Sequence, residues 1–203
     1  MKKADSKITK QQVINGIYLD FEGFSDKKPS LTGMIIDNHF QQVVHEHTLE
    51  QAASAKGLPL ISFEKTISWI IDKAETQKRK VFAYSSHELN VVHAFTNHGN
   101  AFALHYKDGR KIAKRWFNRK HYGKTIGGWG LKDFMEFLSD PMPKYFGQSK
   151  ATKKLKYIME MLPKKNTYEE LTPAAKKGWT NLLTYNKWDC HALQKLMRTV
   201  SQN

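Results

Sequence analysis

The sequence predicts an α/β domain: a mixed central sheet flanked by helices, with a helical carboxyl-terminal third. Three observations predict it. Up to Glu46, β-rich runs separated by turn residues mark three strands, the last two joined through Asp37-Asn38 as in an antiparallel meander. Between Ser62 and Tyr106, helical and strand patterns take turns, the order that covers a sheet with helices and continues it with parallel strands. From Thr172 onward, apolar residues recur at helical spacing almost to the end of the chain.

Each element has a local reason. Val13 to Leu19 reads as a strand running into the acidic, Gly-terminated turn Asp20-Phe21-Glu22-Gly23, and Gly33 to Ile36 and Phe40 to Glu46 read as the next two strands. Ser62 caps a helix whose apolar stripe is Phe63, Ile67, Ile70, Ile71 and Ala74, and Gln77-Lys78-Arg79-Lys80 ends it in positive charge that suits the helix dipole. A buried strand follows at Lys80 to Tyr84. Ser85-Ser86 then caps a helix with Glu88, Val91, Val92 and Phe95 on one face. Ala101 to Tyr106 reads as a short strand, and Lys107-Asp108-Gly109 as either a helix start or a hairpin turn. The last helix begins at Thr172 with Pro173 in its first turn and runs through Trp179, Leu182, Leu183, Leu193, Leu196 and Met197. Residues 1–12 form a basic tail ahead of a single domain over 13–203.

Charge narrows the partners. With 33 Lys plus Arg against 19 Asp plus Glu, a net +14, the 203-residue chain suits a polyanion, and nucleic acid is the first choice. A membrane is excluded on sequence grounds, because no segment approaches the ~18 unbroken apolar residues of a spanning helix and the basic stretches carry no apolar stripe. The start of the chain shows no apolar export segment. Cys190 is the single cysteine, so there is no internal disulfide and no cysteine-built zinc site, in keeping with a reducing, cytoplasmic setting.

The acids carry the chemistry. Asp20 and Glu22 are one residue apart at a strand end, so alternation sends both to one face and Phe21 to the other. Such a pair repels unless a cation lies between, and hard oxygen ligands select Mg²⁺ or Mn²⁺; a solvated acidic turn is the alternative. Tyr185 and Asp189 share one helical face between Leu182 and Leu193, where an acid requires compensation from a metal or from a Lys or Arg partner. Glu88 stands on an apolar helix face directly after a strand, where capping is the alternative role. Three separate segments thus place acids where solvent is not expected, and one shared metal site satisfies all of them.

Tyr18-Leu19-Asp20-Phe21-Glu22-Gly23 resembles the first motif of the DEDD exonuclease superfamily, and Tyr185-Asn186-Lys187-Trp188-Asp189 matches the Tyr-x-x-x-Asp motif of its tyrosine-bearing branch. The chain is most similar to the YprB-like group, whose final motif often reads Tyr-Asn-x-x-Asp-Cys, as Tyr185 to Cys190 do; the resemblance covers roughly residues 13 to 198. In the middle motif, Ala83-Tyr84-Ser85-Ser86-His87-Glu88 supplies Glu where the wider superfamily has Asp. Asp108 is the other candidate for that position, although it looks more like a later family aspartate that leads into a helix. Gly130-Leu131-Lys132-Asp133 is similar to a family segment that also precedes a helix.

This resemblance implies a ribonuclease-H-like fold and a 3′–5′ exonuclease that hydrolyses DNA or RNA with two divalent cations, Mg²⁺ or Mn²⁺, on a single strand or free 3′ end. Asp20 would bridge both ions, Glu22 and Glu88 would hold one each or act through water, and Asp189 would complete the nucleophile-side ion. Tyr185 would orient the attacking water, its ordinary pKa near ~10 being too high for a base. A structure-selective endonuclease with the same site and a non-catalytic nucleic-acid-binding module are the alternatives.

Two basic stretches supply a substrate track. Lys107 to Lys124 holds eight basic residues and one acid, with Trp116, Phe117 and Tyr122 interleaved, and Lys144 to Lys165 is the second. Arg110, Lys114 and Arg115, near one helical face, together with Lys132, are expected to touch phosphates, and Trp116, Phe117 or Trp129 to stack on bases. Other signals carry less. Gly123-Lys124-Thr125 lacks the upstream glycine of a phosphate loop, position 118 being Asn. His45 and His47 share a strand face without a third ligand, Cys190 reads as a packed thiol, and His87 as a cap or surface residue.

Overall fold

The computed structural model describes residues 8–24, 28–143, 151–165 and 167–202. Among them, β1 (Ile17–Glu22), β2 (Leu31–Ile36), β3 (His39–Val44), β4 (Val81–Ala83) and β5 (Tyr106–Asp108) form one sheet in the order β3-β2-β1-β4-β5. The first three strands pair antiparallel, while β4 and β5 continue the sheet in parallel, so it is mixed as the sequence predicts. Asp37 and Asn38 both adopt positive φ, 53° and 64°, which a two-residue hairpin turn between right-twisted strands requires.

The helices are α1 (Lys10–Ile14), α2 (Glu50–Ser54), α3 (Phe63–Thr76), α4 (Ser86–Phe95), α5 (Gly99–His105), α6 (Gly109–Lys120), α7 (Leu131–Phe137), α8 (Ala151–Met161) and α9 (Pro173–Gln202). Their starts follow the capping rules. Ser62 accepts from Lys65 N–H, Ser85 from His87 N–H, and Asp108 from Lys111 N–H at 2.8 Å, which makes Asp108-Gly109 a helix start and not a hairpin.

Two elements differ from the sequence reading. Val13 lies in α1, not in a strand: Thr9 and Gln12 cap each other's backbone N–H at 3.1 Å, and this local helix overrides the β preference of Val13, so β1 begins at Ile17. That helix also straddles position 12. Ala101 to Tyr106 is mostly helix α5; its Ala and Leu residues favour helix, Phe102 is its buried contact, and only Tyr106 onward pairs with β4. The basic stretch over 144–165 lies outside the described residues as far as position 150, and the remainder contains α8.

Alternation along β1 sorts two cores. Ile17, Leu19 and Phe21 pack with α3 and α4, whereas Tyr18 joins the cluster formed by α6, α7 and the second half of α9. A third cluster, around Trp179, Leu182, Leu155 and Ile158, binds the first half of α9 to α2 and α8. At 1.5 Å per residue, the 30 residues of α9 span about 45 Å and pass across the sheet from one cluster to another. Asp20 and Glu22 face α9 at the point where it changes core. No described helix is long and apolar enough to cross a membrane.

Candidate metal centre

Asp20 and Glu22 come from the carboxyl end of β1, and Asp189 descends onto them from the middle of α9. One ligand oxygen from each lies within 4.8 Å of the others, although some 170 positions separate the strand from the helix. Glu22 is buried, Asp20 and Asp189 are half-buried, and burial in low dielectric is the largest influence on all three. Burial, reinforced by Asp189, pushes Glu22 up to about 8 against the pull of Lys154. Asp189 rises to about 7 through burial, opposed by a hydrogen bond from Tyr185 and by Lys132. Asp20 rises well above the carboxylate range through burial, then through Asp189, Glu22 and Glu88 in turn. These carboxyls titrate as a group, sharing protons that a cation would displace.

Glu88 borders the cluster without joining the close trio. Its Oε2 is the cap of α4, accepting from Ser85 N–H and Ser85 Oγ at 3.4 Å, so the capping role applies. It is also buried, which lifts it to about 7, and it raises both Asp20 and Asp189. Asp108 is spent on capping α6 and pairing with Lys111, and it bears on Glu88 and not on the trio. Of the two candidates for the middle position, Glu88 is the one beside the cluster.

Tyr185, one helical turn before Asp189, donates its hydroxyl to the Asp189 carboxyl. Burial, then the neighbouring acids, raise its pKa further, so it keeps its proton and acts as a donor. Lys132, at the start of α7, lies over the Tyr185 ring at 5.5 Å and reaches the same edge of the cluster. A cleft of about 260 Å³ opens beside Glu22, lined by Phe21, Phe24, Pro29, His87, Val91 and Thr152.

The expected interface residues divide. Arg110 and Arg115 are exposed on α6, and Lys114 sits over the Trp129 ring at 4.6 Å. Trp116 is a correction: it is 3 % exposed, packed edge-on to His121 and Phe137 in the core, and offers no face to a base. Phe117 is buried by the same packing against Trp129, Phe134 and Phe137. An amphipathic helix must bury one stripe, and in α6 the aromatics are that stripe.

Sequence reasoning missed the groups behind Asp20. Asn186 is fully buried, donates to Asp20 Oδ2 at 2.8 Å, and accepts from Gln42 Nε2 at 2.8 Å. The signal was a polar residue in the stripe of Leu182, Cys190, Leu193 and Met197, four positions from Leu182 and from Cys190. His45 is no ligand, since both ring nitrogens are occupied: Nδ1–H donates to Ile61 C=O and Nε2 accepts from Thr32 Oγ1, each at 2.7 Å. Cys190 is buried, and burial pushes its thiol up, away from nucleophile chemistry.

An all-oxygen set of crowded, buried carboxyls suits a hard divalent cation such as Mg²⁺ or Mn²⁺. Comparison of the chain with models of protein families, with curated proteins and with solved structures finds no match.

Proposed function

We propose that this protein is a metal-dependent nuclease of the ribonuclease-H-like fold, acting as a 3′–5′ exonuclease on DNA or RNA. One observation carries the reading: Asp20, Glu22 and Asp189 converge within 4.8 Å in a chain of net charge +14. Acids that a basic protein gathers and buries repel one another, and a divalent cation relieves that repulsion. The sheet, three antiparallel strands continued by parallel ones, supports the fold that the resemblance implies.

Asp20, Glu22 and Asp189 would hold the ions, with Glu88 contributing from its cap position. Divalent cations held there would activate a water for attack and offset charge on the leaving oxygen. Tyr185, its one proton given to the Asp189 carboxyl, would orient a water there through the lone pairs of its hydroxyl oxygen. Lys132 places positive charge at the same edge, and Arg110, Lys114 and Arg115 lead outward as contacts for successive phosphates, with Trp129 beside Lys114. The cleft beside Glu22, with two phenylalanines and a proline, accepts the flat face of a terminal base.

The test is cleavage of end-labelled single-stranded and duplex DNA and RNA with Mg²⁺, Mn²⁺ or EDTA. A ladder growing from the 3′ end, lost in EDTA and in Asp20→Ala, is the expected outcome. Internal cuts would make it an endonuclease with the same centre. Binding without any cut would reduce it to a nucleic-acid-binding module.

A further inference from the structure

Asp20, Gly33 and Gln42 lie side by side across β1, β2 and β3, because Asp20 pairs with Gly33 and Gly33 with Gln42. Asn186 of α9 rests on this row. A Cβ on Gly33 would stand 2.0 Å from Asn186 Oδ1, so only glycine lets the amide reach the sheet. Gln42 Nε2 faces two acceptors, Leu183 C=O at 3.1 Å and Asn186 Oδ1 at 2.8 Å. A carbonyl cannot donate, so Gln42 must turn its NH₂ toward Leu183, and Asn186 must answer with its oxygen. Both protons of Asn186 Nδ2 are thereby aimed at Asp20, one at the backbone C=O at 3.2 Å and one at Oδ2 at 2.8 Å.

We propose that Asn186, locked by Gln42 and admitted by Gly33, is the positioning residue of the metal centre, holding Asp20 Oδ2 so that Oδ1 is the oxygen offered to the cation. The assignment rests on the reading of the acids as a metal centre. A neutral amide suits this position because it fixes an acid without neutralising it, whereas a lysine or arginine there would compete with the ion. The donors are buried and satisfied, one on α9 and one on β3, so the carboxylate is set before the cation arrives, and outer partners of this kind govern metal affinity.

Calorimetric titration of the metal-free full chain with Mn²⁺ tests this, alongside thermal melting in EDTA. Asn186→Leu keeps the bulk and removes both donors, and Gln42→Leu removes only the lock. Mn²⁺ affinity is expected to fall about 10–100-fold in Asn186→Leu and by a smaller factor in Gln42→Leu. A mere tether between α9 and the sheet would lower the melting temperature and leave the affinity unmoved, which would overturn the proposal. If Asn186→Leu does not fold, Gln42→Leu decides by the same affinity. Wild-type protein that binds Mn²⁺ yet cuts nothing would sink the nuclease reading and leave Asn186 in place; wild-type protein that binds no Mn²⁺ would remove both.

Discussion

Once ionised, Asp189 destabilises the metal-free chain, because its carboxylate is crowded against Asp20 and Glu22 and burial lifts its pKa to about 7. Acids with raised values contribute stability that is full below their ordinary range and lost as pH climbs through the folded values, here about 7 for Asp189 and Glu88 and about 8 for Glu22. His45 runs the other way: burial lowers it to about 4, so its contribution is full above its ordinary 6.5 and lost as pH falls from there toward 4. The two trends oppose below pH 6.5, and above it the acids act alone. Metal-free protein should therefore melt at a lower temperature at pH 8.5 than at pH 6.5, as read by calorimetry in EDTA. Asp189→Asn should flatten that slope and stabilise the metal-free fold by about 1–2 kcal/mol at pH 8, while cleavage falls by more than about 100-fold. A variant that is less stable than wild type at pH 8 would contradict the assigned repulsion.

Helix α6 shows how a basic, aromatic stretch divides its labour. Arg110, Lys114 and Arg115 stay outward while Ile112, Trp116 and Phe117 turn into the core, so charge and aromaticity that are interleaved in sequence are separated in space. Lys114→Ala is expected to weaken nucleic-acid binding and reduce its salt slope by about 1, whereas Trp116→Leu should cost stability and leave the affinity of the folded protein unchanged. Fluorescence anisotropy at several salt concentrations separates the two. A second element-level test is Trp179, which carries the first half of α9: it is fully buried, donates Nε1–H to Ala52 C=O at 3.0 Å, and its loss should cost about 3–5 kcal/mol in urea denaturation. Elements such as α3 and α4 were legible because a cap and a periodic stripe are local signals, whereas Asp108-Gly109 at the start of α6 read equally as a hairpin turn; the strand expected at Ala101 was not legible, because a short apolar run has no period to distinguish it from a packed helix. Asp20, Glu22, Glu88 and Asp189 were legible as acids in apolar company. The contacts of Gln42, Gly33 and Asn186 were not, since strand register aligns Gln42 with Gly33 and Asp20, and only the packing of α9 on the sheet brings Asn186, 144 positions from Gln42, onto that row.

The whole molecule combines a strong net positive charge with an acidic centre, and on the proposed nuclease reading the two would act on a nucleic-acid strand with opposite sign. Net charge of +14 would draw a phosphate backbone in from a distance, but the crowded carboxyls of Asp20, Glu22 and Asp189, with Glu88 beside them, would repel a phosphate brought to them. Bound cations would reverse that local sign, so on this reading binding and cleavage depend on the same ions. For a phosphorothioate strand that resists cleavage, affinity at pH 8 is expected to be about 10-fold higher with Ca²⁺ than with EDTA, and Asp189→Asn should lose most of that difference. The outer contacts respond to salt instead: four phosphates neutralised on a single strand, by Arg110, Lys114, Arg115 and Lys132, give a log–log slope of about −2.8, so affinity should drop by about 50-fold between 50 and 200 mM salt with or without the divalent ion. Anisotropy over that range reads both effects in one experiment. An affinity indifferent to salt would leave the basic track without a role, and an affinity indifferent to Ca²⁺ would place the bound phosphate away from Asp20 and Asp189.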